Sequence, residues 1–412
     1  MKVLFVNKFF YLRGGSEADF FDTARLIESR GHKAVFFSME HPENIPSPYS
    51  KYFVSNVDFD EQGSLINGVK TAGRVLYSLQ AKRRIDGLLR SERPDIVHLH
   101  NIHHQISPSI LHTIKAHALP VVMTLHDYKM VCPVYTLLLN GRPCQRCRGG
   151  RYYNGLINRC TKNSYLKSAV NVLEMYLHHR ILHIYDLVDV FISPSLFLKE
   201  KVQEMGFEGE VVHMPNFIDV GEFSPCYNHK ERSLVYFGRL SPEKGLFTLL
   251  EAISGLDLEL KIIGDGPLRK DMEKMVKEKG LDNVSFLGYR RGEELKGAIQ
   301  RAMAVILPSQ WYENYPRSVI EAFALGKPVI GSRIGGIPEL VRDGETGLTF
   351  EPGNVEDLRA KVKILISNSD AVYKMGQGAR RFVEEKLNPE VHYQGLIKIY
   401  ELAMEESKRK KV

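Results

Sequence analysis

The stretch Pro308-Ser-Gln-Trp-Tyr-Glu313-Asn-Tyr-Pro-Arg-Ser-Val-Ile-Glu321-Ala-Phe-Ala-Leu-Gly326-Lys-Pro-Val-Ile330 reads as strand end, polar loop, helix and next strand. The apolar run at 304–307 suits a buried parallel strand, and Pro316 suits a first helical turn, where a missing N–H costs nothing. Val319, Ile320, Phe323 and Leu325 cover one helix face, and Gly326 ends the helix ahead of Pro328. Glu313 therefore precedes a helix N-terminus, and Glu321 lies about one and a half turns inside. The N–H groups of Arg317 and Ser318, at the positive end of the helix dipole, suit a phosphorylated ligand. An acidic residue at a helix start plus a solvated helix Glu would give the same pattern, so the rest of the chain has to decide.

Working outward, strand-like runs alternate with amphipathic helices, which predicts an α/β fold. Strands are expected at 3–6, 34–38, 96–100, 121–125 and 190–193, then at 233–237, 258–263, 284–287, 304–307 and 329–332. These make two Rossmann-like, doubly wound parallel sheets. The turn-rich segment 214–225 separates them, so the expected domains are 1–215, with a Cys-rich insertion at 132–160, and 216–388. A C-terminal helix at 389–412 is expected to pack back toward the first domain. Ligands of open α/β sheets bind beyond the carboxyl ends of the strands, which predicts a substrate cleft where two such sheets face each other.

With 412 residues, 43% hydrophobic and 25% charged, the chain has room for two domains of roughly 200 residues. No apolar run reaches the ~20 residues of a membrane helix. The start, Met1-Lys-Val-Leu-Phe-Val-Asn-Lys, resembles a first strand more than a secretory signal, and a cytoplasmic location is the expectation. The net charge of +7, from 56 basic and 49 acidic residues, is compatible with anionic partners without selecting one. Its densest part, Ser407-Lys-Arg-Lys-Lys-Val412, suits either peripheral contact with an anionic membrane or a solvated, frayed terminus. Dispersed basic residues argue against nucleic acid.

In the first half, Gly14 and Gly15 follow the first strand, and Ser16 with Asp19 fits a capping box, so bare backbone would meet an anion at a helix N-terminus. The dinucleotide fingerprint G-x-G-x-x-G is absent there. His98, His100, His103 and His104 crowd a strand end without a helical metal-binding frame. His126 ends another strand, and Asp127 beside it could fix its tautomer; a packing histidine would have the same surroundings. Cys132, Cys144, Cys147 and Cys160 place a C-x-x-C knuckle between two flanking cysteines, which predicts one structural zinc in a cytosolic chain. Cys226 is ordinary. The pattern at 165–187, with Leu166, Val170, Leu173, Tyr176, Leu177 and Ile181, predicts a long helix packed on the sheet.

In the second half, Gly238-Arg239 and Lys244-Gly245 follow a strand beside a helix start, as a diphosphate clamp would. Gly264-Asp-Gly266-Pro follows the next strand, and its glycines allow close backbone approach. Gly335-Gly336-Ile-Pro-Glu339 and Asp343 to Gly347 read as turns.

This ordered set, with Arg-Gly-His at 30–32 and Pro215-Asn216, resembles the retaining family-4 glycosyltransferases of the GT-B fold over nearly the whole chain. The resemblance implies that Arg239 and Lys244 bind the donor diphosphate with help from Gly14, Gly15 and the N–H groups of Arg317 and Ser318. It implies that Glu313 faces the donor sugar, that Glu321 meets the ribose with Gly264 and Gly266 nearby, and that His126 lies near the reaction centre. The implied partners are a UDP-, GDP- or ADP-sugar and a sugar or lipid-linked acceptor, with no catalytic cofactor. Asn314, Tyr315 and Arg317 depart from common family residues, which leaves the donor's identity open. A non-catalytic nucleotide-sugar-binding protein and a nucleotide-sugar epimerase are the competing readings.

Overall fold

Short runs of Val, Ile, Leu and Phe, buried along their length, become the central strands of two parallel sheets. The computed structural model describes residues 1–56 and 72–410, so Lys411 and Val412 of the basic tail lie outside the described residues. The chain divides into one unit of Met1–Thr136, Gln145–Met214 and Tyr393–Val412, and a second of Leu137–Cys144 and Pro215–His392.

The strands are β1 (Lys2–Val6), β2 (Lys33–Phe37), β3 (Ile96–Leu99), β4 (Val121–Thr124), a two-residue pair β5 (Leu138–Leu139) and β6 (Arg142–Pro143), β7 (Val190–Ser193) and β8 (Val211–His213). The first sheet has the order β2-β1-β3-β4-β7-β8, all parallel, while β5 and β6 form an antiparallel hairpin. The order reverses between β1 and β3, and there the loops are tied: Lys8 N–H donates to Asn101 O at 2.8 Å, and Asn101 N–H to Asn7 Oδ1 at 3.1 Å.

The second unit holds β9 (Ser233–Phe237), β10 (Glu259–Ile263), β11 (Val284–Gly288), β12 (Ala304–Leu307), β13 (Val329–Ser332) and β14 (Gly347–Phe350), in the order β11-β10-β9-β12-β13-β14. Along β9, Leu234 and Tyr236 enter one core while Val235 and Phe237 enter another. Both faces are thus buried, which is why the strand is a continuous apolar run rather than an alternating one. The crossover point falls between β9 and β12.

Several expectations are corrected. Strands β8 and β14 were not foreseen: one is three residues long, and the other hides behind the turn-rich 343–347. No capping box forms at Ser16 and Asp19. The helix Gly15–Ser29 already includes both residues, Gly14 is its N-cap with no side-chain cap, and the Ser16 hydroxyl turns to Glu17 Oε1 at 3.1 Å. The pattern at 165–187 breaks into a helix Tyr165–Tyr176, a π turn Leu177–Ile181 and a 3-10 turn Ile184–Leu187. Leu166 and Leu173 of the expected face are exposed, and the buried side is taken by Ser168, Asn171, Val172, Glu174 and Met175. The basic tail is not frayed through residue 410: Ser407 is buried and Lys410 Nζ donates to Asp186 O and Val188 O, both at 3.2 Å.

Candidate functional site: two loops at the crossover of the second sheet

The loops leaving β9 and β12 carry Arg239, Lys244 and Glu313, at the place where doubly wound sheets bind ligands. Lys244 Nζ stands 2.6 Å from Glu313 Oε1, and the Ser309 hydroxyl donates to the same oxygen at 2.6 Å. Lys244 also lies over the Trp311 ring, 5.4 Å from its centroid. Burial raises the Glu313 carboxyl, but the Lys244 ammonium, with Ser309 and Trp311, outweighs it and holds Glu313 below the usual glutamate range. The cation of the expected clamp and the carboxylate expected at the sugar are thus one ion pair. Arg239 is exposed on the turn after β9, and Tyr236 OH fixes that turn by donating to Arg239 O at 2.8 Å.

Backbone contacts hold these loops in register. Gln310 N–H donates to Glu243 O at 2.8 Å, Gly336 N–H to Glu313 O at 2.8 Å, and the Ser332 hydroxyl to Ser309 O at 2.6 Å. Gly245, at φ +66°, packs so close that a Cβ would stand 2.0 Å from Pro308 O; on Gly335 it would stand 2.3 Å from Glu313 O. Gly264 and Gly266 have the same explanation, with a Cβ falling 2.0 Å from Gly238 O and 2.4 Å from Leu240 O. Loop packing therefore accounts for these two glycines without a nucleoside.

The helix Arg317–Ala324 begins just past Glu313, with Pro316 as N-cap. The N–H groups of Arg317 and Ser318 lie in its first turn, at the positive end of the helix dipole. The Arg317 side chain faces along the helix, where its Nε donates to Glu321 Oε1 at 3.0 Å. The residues expected at the diphosphate and at the ribose are therefore ion-paired with each other, as are Lys244 and Glu313.

In the first unit the histidines form a stack. The rings of His98 and His100 are 4.5 Å apart, those of His100 and His126 5.1 Å apart, and His100 Nδ1 lies 2.8 Å from His126 Nε2. His98 is bonded to Tyr400 OH at 2.8 Å and Thr124 Oγ1 at 2.7 Å. Burial and the Lys8 ammonium push His126 down to about 4, so it is neutral at pH 7. His100, rather than Asp127, is the ring partner of His126; Asp127 Oδ1 instead accepts from Lys129 N–H at 2.9 Å. The alternation of His98 and His100 on one strand was the legible signal for this stack. Gly14 has extended backbone at φ −169°, and a Cβ there would meet only Glu17, at 3.7 Å.

Among the described residues no group of three or more His, Cys, Asp or Glu side chains is gathered as a metal ion would require. Cys132, Cys147 and Cys160 belong to the first unit, and Cys144 to the segment grouped with the second. Sequence reading also missed Ser309 and Trp311, whose side chains hold Glu313 and Lys244; the chain's single tryptophan beside a strand end was a signal available for one of them.

Residues 13–222 match the model of Glycosyltransferase Family 4, and residues 223–382 match that of Glycosyl transferases group 1. The chain belongs to glycosyltransferase family 4. An uncharacterized glycosyltransferase of Methanocaldococcus jannaschii is 33% identical over 167 residues, 40% of this chain and 47% of that protein. The chain spans less than half the length of the first curated relatives it matches. Sucrose-phosphate synthase from Thermosynechococcus elongatus superposes with a TM-score of 0.71 at 17% identity, covering 97% of this chain and 98% of that one. Anabaena HepE, solved with UDP and glucose, superposes with a TM-score of 0.68 at 18% identity, covering 97% and 99%. At such identities the likeness establishes the fold, which is GT-B.

Proposed function

We propose that this chain is a retaining hexosyltransferase that moves a sugar from a UDP-, GDP- or ADP-sugar to a hydroxyl of a sugar or lipid-linked acceptor, in cell-surface polysaccharide or glycolipid assembly. The observation that carries this reading is the Lys244–Glu313 pair at the crossover of the second sheet, in a chain of this family. In the reaction the bond from the anomeric carbon to the phosphate oxygen breaks, and the acceptor oxygen bonds to that carbon on the same face. The acceptor proton passes to the departing phosphate oxygen. Negative charge therefore grows on the diphosphate, where Lys244, Arg239 and the N–H groups of Arg317 and Ser318 offset it. Glu313 positions Lys244 and offers its remaining acceptor sites to sugar hydroxyls. Glu321, with Arg317, is assigned to the ribose.

For the first unit, we assign Gly14 and Gly15 to an anionic group of a substrate and the neutral His126 to a sugar hydroxyl. No metal is needed for this chemistry, because fixed cations and amides do the work of neutralisation. The test is a panel of nucleotide sugars with and without acceptor, following release of nucleoside diphosphate and the anomeric configuration of the product by NMR. Acceptor-dependent release with retained configuration is expected. Inversion would end the retaining mechanism, an altered nucleotide sugar formed without acceptor would favour an epimerase, and binding without turnover would favour a non-catalytic protein.

A further inference from the structure

The helix Tyr165–Tyr176 turns two leucines outward while burying polar groups beside Val172 and Met175. On its inward side the Ser168 hydroxyl accepts from Thr161 N–H at 3.0 Å, Asn171 Nδ2 donates to Thr161 Oγ1 at 2.9 Å, and Glu174 is 0% exposed. The Glu174 carboxylate lies 2.7 Å from Lys129 Nζ and 3.3 Å from His104 Nε2, and Lys129 is itself buried. Breaking a buried ion pair by rotating one partner away is strongly unfavourable, so this side cannot turn outward. Leu166 and Leu173, seven residues apart and so on one helix face, are left 75% and 52% exposed.

Neighbouring segments extend that face. The short helix Asn154–Ile157 packs alongside: a Cβ on Gly155 would touch Val172 at 3.1 Å, and Tyr153 N–H donates to Tyr176 OH at 3.3 Å. The Arg159 guanidinium covers the Tyr165 ring at 5.2 Å. Six of the seventeen exposed large hydrophobic side chains among the described residues fall here: Tyr153, Ile157, Tyr165, Leu166, Leu173 and Ile181. A cluster of this kind on a protein surface marks a docking site.

The charge around the patch identifies the occupant. Between residues 145 and 183 there are seven Lys and Arg residues, all exposed, and a single acid, Glu174, whose charge is buried against Lys129. Exposed Leu, Ile and Tyr ringed by cations, with no exposed anion in the segment, is the composition of a surface that enters the headgroup region of an anionic bilayer. No helix among the described residues is long and apolar enough to cross a membrane. The basic C-terminus is a weaker candidate, since Lys410 is held by two backbone carbonyls.

We propose that the face carried by Tyr153, Ile157, Tyr165, Leu166, Leu173 and Ile181 docks on an anionic lipid bilayer, its leucines and isoleucines entering the headgroup boundary and its arginines and lysines meeting lipid phosphates. This does not rest on the transfer reaction. The test is flotation of the full chain with vesicles of equal parts phosphatidylglycerol and phosphatidylcholine, or of phosphatidylcholine alone. The chain is expected to float with the first and not the second, and to be released at about 1 M salt, where charges are screened beyond about 3 Å. Leu166→Ser with Leu173→Ser should weaken partitioning by about tenfold or more, as should Arg159→Gln with Lys162→Gln and Lys167→Gln. All five side chains are exposed, so an unchanged melting temperature shows that the variants fold. Flotation of either variant equal to wild type, or no flotation of wild type, overturns the proposal. So does a lipid-free dimer that the leucine variant dissociates, which would assign the face to a second copy of the chain.

Discussion

Glycines stand in loops beyond the carboxyl ends of strands in both sheets, but the two units hold them for different physical reasons. In the second unit, Gly245 and Gly264 have positive φ and sit where a Cβ would fall 2.0 Å from a carbonyl oxygen of the next loop. The fold itself demands them. In the first unit, Gly14 has ordinary extended backbone, and a Cβ there meets nothing closer than 3.7 Å. Gly14 is the N-cap of its helix, a position that glycine suits without close packing against another loop. The same contrast runs through the charges. The second unit presents compact ion pairs, Lys244 with Glu313 and Arg317 with Glu321, whereas the first presents a stack of three histidine rings.

The sharpest way to break this contrast is to add the missing methyl. Gly264→Ala should cost about 4 kcal/mol or more by urea unfolding, because neither the φ nor the carbonyl contact can be accommodated without moving backbone. Gly14→Ala should change stability by less than about 0.5 kcal/mol while lowering transfer activity. If Gly14→Ala unfolds the protein, or Gly264→Ala is tolerated, the distinction fails.

Next in size is the ion pair. Lys244→Ala leaves a buried carboxylate without its cation and should destabilise the protein by about 3 kcal/mol. The pH dependence distinguishes this from simple loss of packing. Glu313 is depressed below 4.5 in the folded chain, so its stabilisation is present above that value and lost as pH falls through the folded value. In Lys244→Ala the ammonium no longer offsets burial, so the carboxyl moves upward and its contribution to stability increases, rather than being lost, as pH falls toward 4.5. Identical acid-unfolding profiles for the two proteins would remove the pair from the account.

The histidine stack loses stability in the same direction but over a higher window. His126 is lowered from 6.5 to about 4, so the unfolded chain binds the extra proton between those values. Stability should be complete above about pH 6.5 and fall by about 3 kcal/mol on the way to pH 4. The His126 ring should show no NMR titration near 6.5, and a titration there would contradict its neutral state. Smallest is Glu321→Gln: losing an i,i+4 pair should cost about 0.3 to 0.5 kcal/mol in stability, with any larger effect confined to nucleotide affinity.

Much of this architecture was legible in the sequence because the central strands are unbroken apolar runs between glycine-rich turns. The segment 304–330 gave its strand, loop, helix and strand in order. Short strands such as Val211–His213 were not legible, since three residues carry no period and pairing with β7 is a tertiary matter. The helix at 165 misled for a related reason. Its spacing marks an apolar face but does not say which side the protein takes, and Glu174 decided that through Lys129, 45 residues distant in sequence. Likewise Glu313 and Lys244 were both visible, but their pairing depends on two loops 69 residues apart.

The central claim is that Lys244, held by Glu313 at the crossover of the second sheet, is where the donor diphosphate binds. Isothermal titration of UDP, GDP and ADP against wild type and Lys244→Ala tests it most directly. For whichever nucleotide wild type binds, the variant should bind about tenfold or more weakly, the loss expected for a charge-assisted hydrogen bond. Equal affinity in a folded Lys244→Ala protein would contradict it.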